Sequence, residues 1–101
     1  MRQITIEAYN AFKNNQRFKR SNTEVIINDN ITVMTLFGNS IVKKIDGETF
    51  ISNGGWSSVT TRERLNPFVR RIRKNKDSLI INEKIALQNS KWYNLNDLEK
   101  C

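Results

Sequence analysis

Between Thr23 and Ser52 the chain repeats one pattern four times: a short run of β-branched and aromatic residues, with a turn-forming pair before the next. The runs are TEVIIN (23–28), ITVMTLF (31–37), SIVKKI (40–45) and ETFIS (48–52), and the pairs between them are Asp29-Asn30, Gly38-Asn39 and Asp46-Gly47. β-Branched and aromatic side chains fit a pleated, half-buried surface. Asp-Gly supplies the two positive φ angles of a tight hairpin turn. The pattern therefore predicts four successive antiparallel strands, a meander. Alternation within ITVMTLF puts Ile31, Val33, Thr35 and Phe37 on one face and Thr32, Met34 and Leu36 on the other. Both faces are partly apolar, so one is expected to carry a helix and the other to be covered elsewhere.

The helix precedes the meander. Ile4, Ala8, Ala11 and Phe12 recur at spacings of three and four, giving one apolar stripe. Lys13, Arg17, Lys19 and Arg20 crowd its C-terminal end, where positive charge complements the helix dipole. They also form a secondary basic patch. Asn14-Asn15 blurs the helix end, and Phe18 falls at or beyond it. After Pro67, NPFVRRIRKN reads equally as a helix started by Asn66 and Pro67 or as a strand turning at NKDS, since short apolar runs do not separate the two. LIINEKIAL reads as strand, turn and strand, and KWYNL as a final short strand or docked aromatic segment. At 101 residues one domain is expected, over 1–95, with a frayed tail at 96–101.

Between these parts lies NGGWSSVTTRERLN, residues 53–66. It is not a nucleophile elbow, because Ser57 and Ser58 lack the following glycine and the chain has no histidine to act as base. It is not a phosphate loop, because no Gly-Lys-Ser/Thr follows the glycines. Asn53, Gly54 and Gly55 read as a turn with positive φ. Thr60 and Glu63 spell Thr-x-x-Glu, a capping box that predicts a helix from Thr61 to about Asn66. Val59 and Leu65 are then expected to face the core, with Trp56 at its edge.

Charge is the strongest global property. Seventeen Lys and Arg against ten Asp and Glu leave +7, which favours a polyanionic partner. Seven cations fall within fifteen residues (Arg62, Arg64, Arg70, Arg71, Arg73, Lys74 and Lys76), with Glu63 the acid among them. Five are arginine, whose planar fork suits phosphate and stacks on rings. With Trp56 they make the candidate nucleic-acid-binding residues, and Trp92 and Tyr93 are further stacking candidates. A solvated basic face is the plainer reading of the same run.

The segments LFGNSIVKK and GGWSSVTTRERLN resemble small accessory proteins of tailed bacteriophages, in which a GN-x-I strand is followed by a Trp and a TT-x-x-x-LN helix start. The resemblance covers roughly residues 23–82 and rests on Trp56, Thr60, Thr61, Leu65 and Asn66. It implies a strand and hairpin after LN, and a protein made in the host cytoplasm. The run from Arg70 to Arg73 departs from that pattern and marks where this chain would meet a partner of its own. The fold class expected is α+β: an N-terminal helix on an antiparallel meander, a short capped helix after the fourth strand, then a β-hairpin.

Without histidine, and with Cys101 as the single cysteine, ordinary zinc sites and histidine acid–base schemes are excluded. No catalytic residue, metal or cofactor is expected. The first twenty residues lack an apolar signal core, and no apolar run approaches the roughly 20 residues of a membrane span. Three functions remain: a nucleic-acid-binding accessory protein with RNA ahead of DNA, an inhibitor of a host defence nuclease, toxin or polymerase, and a virion component. An open sheet edge also allows a homodimer.

Overall fold

The computed structural model describes residues 2–99. Helix α1 (Gln3–Lys13) buries Thr5, Ala8, Ala11 and Phe12. Its end is set by Asn15, which adopts φ 53°. The Gln16 amide then donates to the Ala11 carbonyl and the Asn15 amide to that of Phe12. This is a Schellman closure, with asparagine in the left-handed position that glycine usually fills. The chain turns directly into a strand, β1 (Phe18–Arg20), which the sequence reading did not foresee.

β2 (Thr23–Asn28), β3 (Ile31–Leu36), β4 (Asn39–Ile45) and β5 (Glu48–Ile51) form the expected meander. β1 adds to one edge of it, and β9 (Tyr93–Asn94) pairs with β5 at the other, giving a six-stranded sheet in the order β1-β2-β3-β4-β5-β9. Val25, Met34, Val42 and Ile51 stand opposite one another across four strands and are all buried. α1 packs over the β2 and β3 part of this row, while helices later in the chain, 59–65 and 95–99, lie against β4 and β5. Thr35 departs from the simple alternation: the register shifts between Met34 and Thr35, and Thr35 is buried. Ile26 and Ile31 are exposed on the opposite face, contrary to the expectation that this face is covered elsewhere. Near β5 that face is partly shielded, with the Lys43 ammonium 4.3 Å from the Trp92 ring centroid and 5.5 Å from that of Phe50.

The turn after β3 is Phe37-Gly38 rather than Gly38-Asn39, because Leu36 pairs with Asn39. Both turn residues have positive φ, 52° for Phe37 and 79° for Gly38. A bulky aromatic residue is a poor occupant of that region. Phe37 is also 70% exposed, so packing does little to offset the strain.

Helix α2 (Val59–Leu65) starts two residues before the predicted start at Thr61. Ser58 is its N-cap, extended at φ −93° and ψ 166°, and its Oγ accepts from the Thr61 amide at 3.1 Å. That register turns Thr61, Arg64 and Leu65 inward and leaves Val59 exposed, which corrects the expectation for Val59. Glu63 does not reach back to Thr60. Its carboxylate accepts from the Thr5 hydroxyl at 3.1 Å instead. A 3₁₀ turn at Asn66–Phe68 follows, and the Phe68 ring meets Tyr9 and Phe12 edge-on at 5.0 and 5.3 Å.

The ambiguous segment is strand. β6 (Ile72–Asn75), β7 (Ser78–Ile81) and β8 (Ile85–Ala86) make a second, three-stranded sheet that adds Ile72, Leu79 and Ile81 to the core. From position 96, where a frayed tail was expected, Leu95–Glu99 forms a short helix, α3, whose Leu98 is buried. Residues 100 and 101 lie outside the described residues.

Arg64 joins these layers. It is 1% exposed, although it was expected at a nucleic-acid surface. Its Nε donates to Thr23 Oγ1 on β2 at 2.9 Å, and its Nη1 to Thr5 Oγ1 on α1 at 2.8 Å and to Glu63 Oε1 at 3.2 Å. Burial pulls its pKa below the ordinary arginine value, and the Glu63 charge pulls it back up. A buried cation is tolerated only with such partners, and removing one member of a buried pair costs more than the pair contributes. Arg64→Ala should therefore cost about 3–5 kcal/mol in urea unfolding, whereas a loss under about 1 kcal/mol would mark a surface-like role. Phe37→Gly should stabilise the fold by about 1 kcal/mol, because it relieves the left-handed strain. A loss of stability would show that the ring packs more than its exposure indicates.

Candidate nucleic-acid interface

The hairpin of β6 and β7 carries the basic character of the structure. From Arg70 to Lys84 there are six cations against two acids, Asp77 and Glu83. Strand alternation explains how they are displayed. Ile72 points into the core, so Arg71 and Arg73 project to the other side, and Lys74 and Lys76 lie at the exposed tip. The turn at the tip is tight, with Asn75 paired to Ser78 and Lys76 at φ 55°. Lys74 Nζ donates to the Lys76 carbonyl.

Glu83 divides this group. It lies 2.7 Å from Arg73 Nε and 3.3 Å from Arg71 Nε, so a single carboxylate ties two arginines. The hydrogen bond from Arg73, with the charges of both arginines, holds its carboxyl below the usual carboxylate range. A depressed carboxyl pKa means that the tie is present at neutral pH and is lost as pH falls through the lowered value. Arg70, Lys74 and Lys76 are exposed and have no acidic partner among the described residues. Arg70 and Arg71 also line an open cleft of about 650 Å³ with Asn82, Glu83 and Glu99. The Asn82 amide nitrogen donates to the Leu98 carbonyl at 3.2 Å, while its buried Oδ1 has no hydrogen-bond partner among the described residues.

The other candidates are distributed differently. Arg62 is half-buried on α2, and Arg64 is internal, as described above. Of the secondary patch, Arg20 is bound to Glu7 at 2.6 Å and Arg17 donates to the Ile27 carbonyl at 3.2 Å. Lys13 sits 5.4 Å from the Tyr9 ring centroid, and Lys19 is exposed on β1. Trp92 is half-buried with Lys43 over its ring, and the Tyr93 hydroxyl accepts from the Gln88 amide at 3.0 Å. Neither is an open stacking surface.

Trp56 is open, at 68% exposure, and its loop is firmly held. Buried Asn53 uses its whole side-chain amide to hold it. Oδ1 accepts from the Gly55 and Ser90 amides at 2.8 and 2.9 Å, and Nδ2 donates to Ser57 Oγ and Asn89 Oδ1 at 3.1 and 3.0 Å. Gly54, at φ 66°, cannot be replaced without strain, because a Cβ there would sit 3.0 Å from Ile41 Cγ2. The exposed ring is thus carried on a rigid base. Trp56 was expected to pack at the core's edge and instead stands exposed, and Phe37, which sequence reasoning assigned to a strand, is a turn residue because Leu36 pairs with Asn39.

Among the described residues no helix is long and apolar enough to cross a membrane. Neither a curated protein nor a solved structure matches the chain. One family model does, over residues 1–99, and with nearly the whole length matched the chain belongs to the Kyanoviridae Gp96 protein family, a family of bacteriophage proteins.

Proposed function

We propose that this phage protein is a nucleic-acid-binding accessory factor without enzymatic activity, acting in the host cytoplasm and taking single-stranded RNA in preference to DNA. The observation that carries the reading is the β6–β7 hairpin, where Arg70, Lys74 and Lys76 stand exposed with no acidic partner among the described residues. Like charges so close together repel, and phosphates along a polyanion relieve that repulsion while releasing their own counterions. Arg71 and Arg73 form a reserve, since phosphate oxygens can compete with Glu83 for their forks. RNA is favoured because specific recognition of RNA uses single strands with unstacked bases, and the protein offers exposed aromatic rings to receive them.

The salt dependence of oligonucleotide binding tests this directly. For a single strand the log–log slope is about 0.7 per phosphate neutralised. The triple substitution Arg70→Ala, Lys74→Ala, Lys76→Ala should lower the slope by about 2. Glu83→Gln should raise affinity and slope by freeing the two arginines it ties. A slope that none of these substitutions moves would refute the assignment to the hairpin.

A further inference from the structure

The turn at Phe37-Gly38 and the loop carrying Trp56 come together. Phe37 and Trp56 both line a groove of about 410 Å³ whose floor includes Leu36 and Ile41, with Asn39 and Ser58 also bordering it. The volume lies within the range of small-ligand clefts, about 300–1,000 Å³. Two features distinguish this groove from ordinary surface relief. Phe37 is kept in the left-handed region, at φ 52°, while 70% exposed, which is backbone strain without matching burial. Its amide is pinned to the Asn22 carbonyl at 2.8 Å, so the strained turn is held in place. Trp56 is equally exposed and rests on the saturated Asn53 amide. Two large apolar rings are thus held open to water on rigid supports, an arrangement that lowers the ordering cost of taking up a flat ligand.

The chemistry selects the occupant. The floor is apolar, so the ligand needs an uncharged face. Asn39 is exposed and its side-chain amide has no partner among the described residues, leaving both donor and acceptor available for a polar ring edge. The net charge of +7 attracts a polyanion, and Arg62 directly follows the groove-lining Thr61. A flat ring with a hydrogen-bonding edge, attached to a chain of negative charge, is an unpaired nucleobase of a single strand. We infer that the Phe37–Trp56 groove is a base-stacking site for single-stranded nucleic acid. This rests on the nucleic-acid reading above and adds to it a second contact, which accepts bases while the hairpin accepts phosphates.

The test uses Trp92→Phe protein, in which Trp56 is the remaining tryptophan. Trp56 emission is followed on titration with oligoadenylate, an abasic oligomer of equal length, adenosine monophosphate, and a short phenylalanine-bearing peptide. Oligoadenylate should quench the emission saturably and the abasic oligomer should not. Phe37→Gly, which the turn geometry favours, should weaken oligoadenylate binding about tenfold with the salt slope unchanged. Equal binding of both oligomers with no change in emission overturns the groove proposal and leaves the hairpin reading intact. If neither oligomer shows salt-dependent binding the hairpin reading fails, and the groove stands only if adenosine monophosphate still quenches Trp56 in a Phe37-dependent way. Quenching by the peptide alone assigns the groove to a protein partner and overturns the proposal.

Discussion

A single guanidinium holds the layers of this protein together. Arg64 lies on α2, yet its hydrogen bonds end on Thr5 of α1, on Thr23 of β2 and on Glu63 beside it. In a chain of 101 residues the apolar core is small, and a planar donor that reaches three elements at once supplies orientation that Leu and Ile packing cannot. Its partners are two hydroxyls, the Asn22 side-chain oxygen and one carboxylate, so the charge is compensated locally. Glu63 in turn accepts from Thr5, which closes the circuit.

This use of Arg64 changes how the positive charge is read. A run that looks uniform along the chain separates on folding. Arg64 is internal, Arg62 is half-buried on α2, Arg71 and Arg73 are tied by Glu83, and Arg70, Lys74 and Lys76 remain open. Strand alternation in β6 produces the split. Ile72 must point inward, so its neighbours cannot. The aromatic groove lies on a different part of the fold, between the β3–β4 turn and the loop after β5, and both of these are fixed by backbone hydrogen bonds and positive φ. Rigid elements thus carry both features.

Much of the architecture was legible in the sequence, because period and turn chemistry are local. The α1 stripe, the meander with its Asp46-Gly47 turn, and the strand after Pro67 follow from residues close together in the chain, although the last needed a resemblance to decide it. The misses arise where tertiary contacts choose between local options. β1 is three residues long with two cations, so nothing in its composition signals a strand until β2 pairs with it. Ser58 and Thr60 are both competent caps, and inward placement of Arg64 and Leu65 selects Ser58. Leu98 alone could not announce a helix, yet its burial orders the segment from Leu95 to Glu99. Arg64 was indistinguishable from its neighbours in sequence, since its burial depends on hydroxyls 41 and 59 positions away.

The central claim is a division of labour among the arginines, and their side-chain Nε–H signals report on it most directly. In a ¹⁵N spectrum the Arg64 Nε–H should exchange slowly with solvent and stay unmoved when single-stranded RNA is added. The signals of Arg70, Arg71 and Arg73 should shift together with saturating RNA. An Arg64 signal that exchanges freely or follows the RNA, with the hairpin arginines unmoved, would contradict the account.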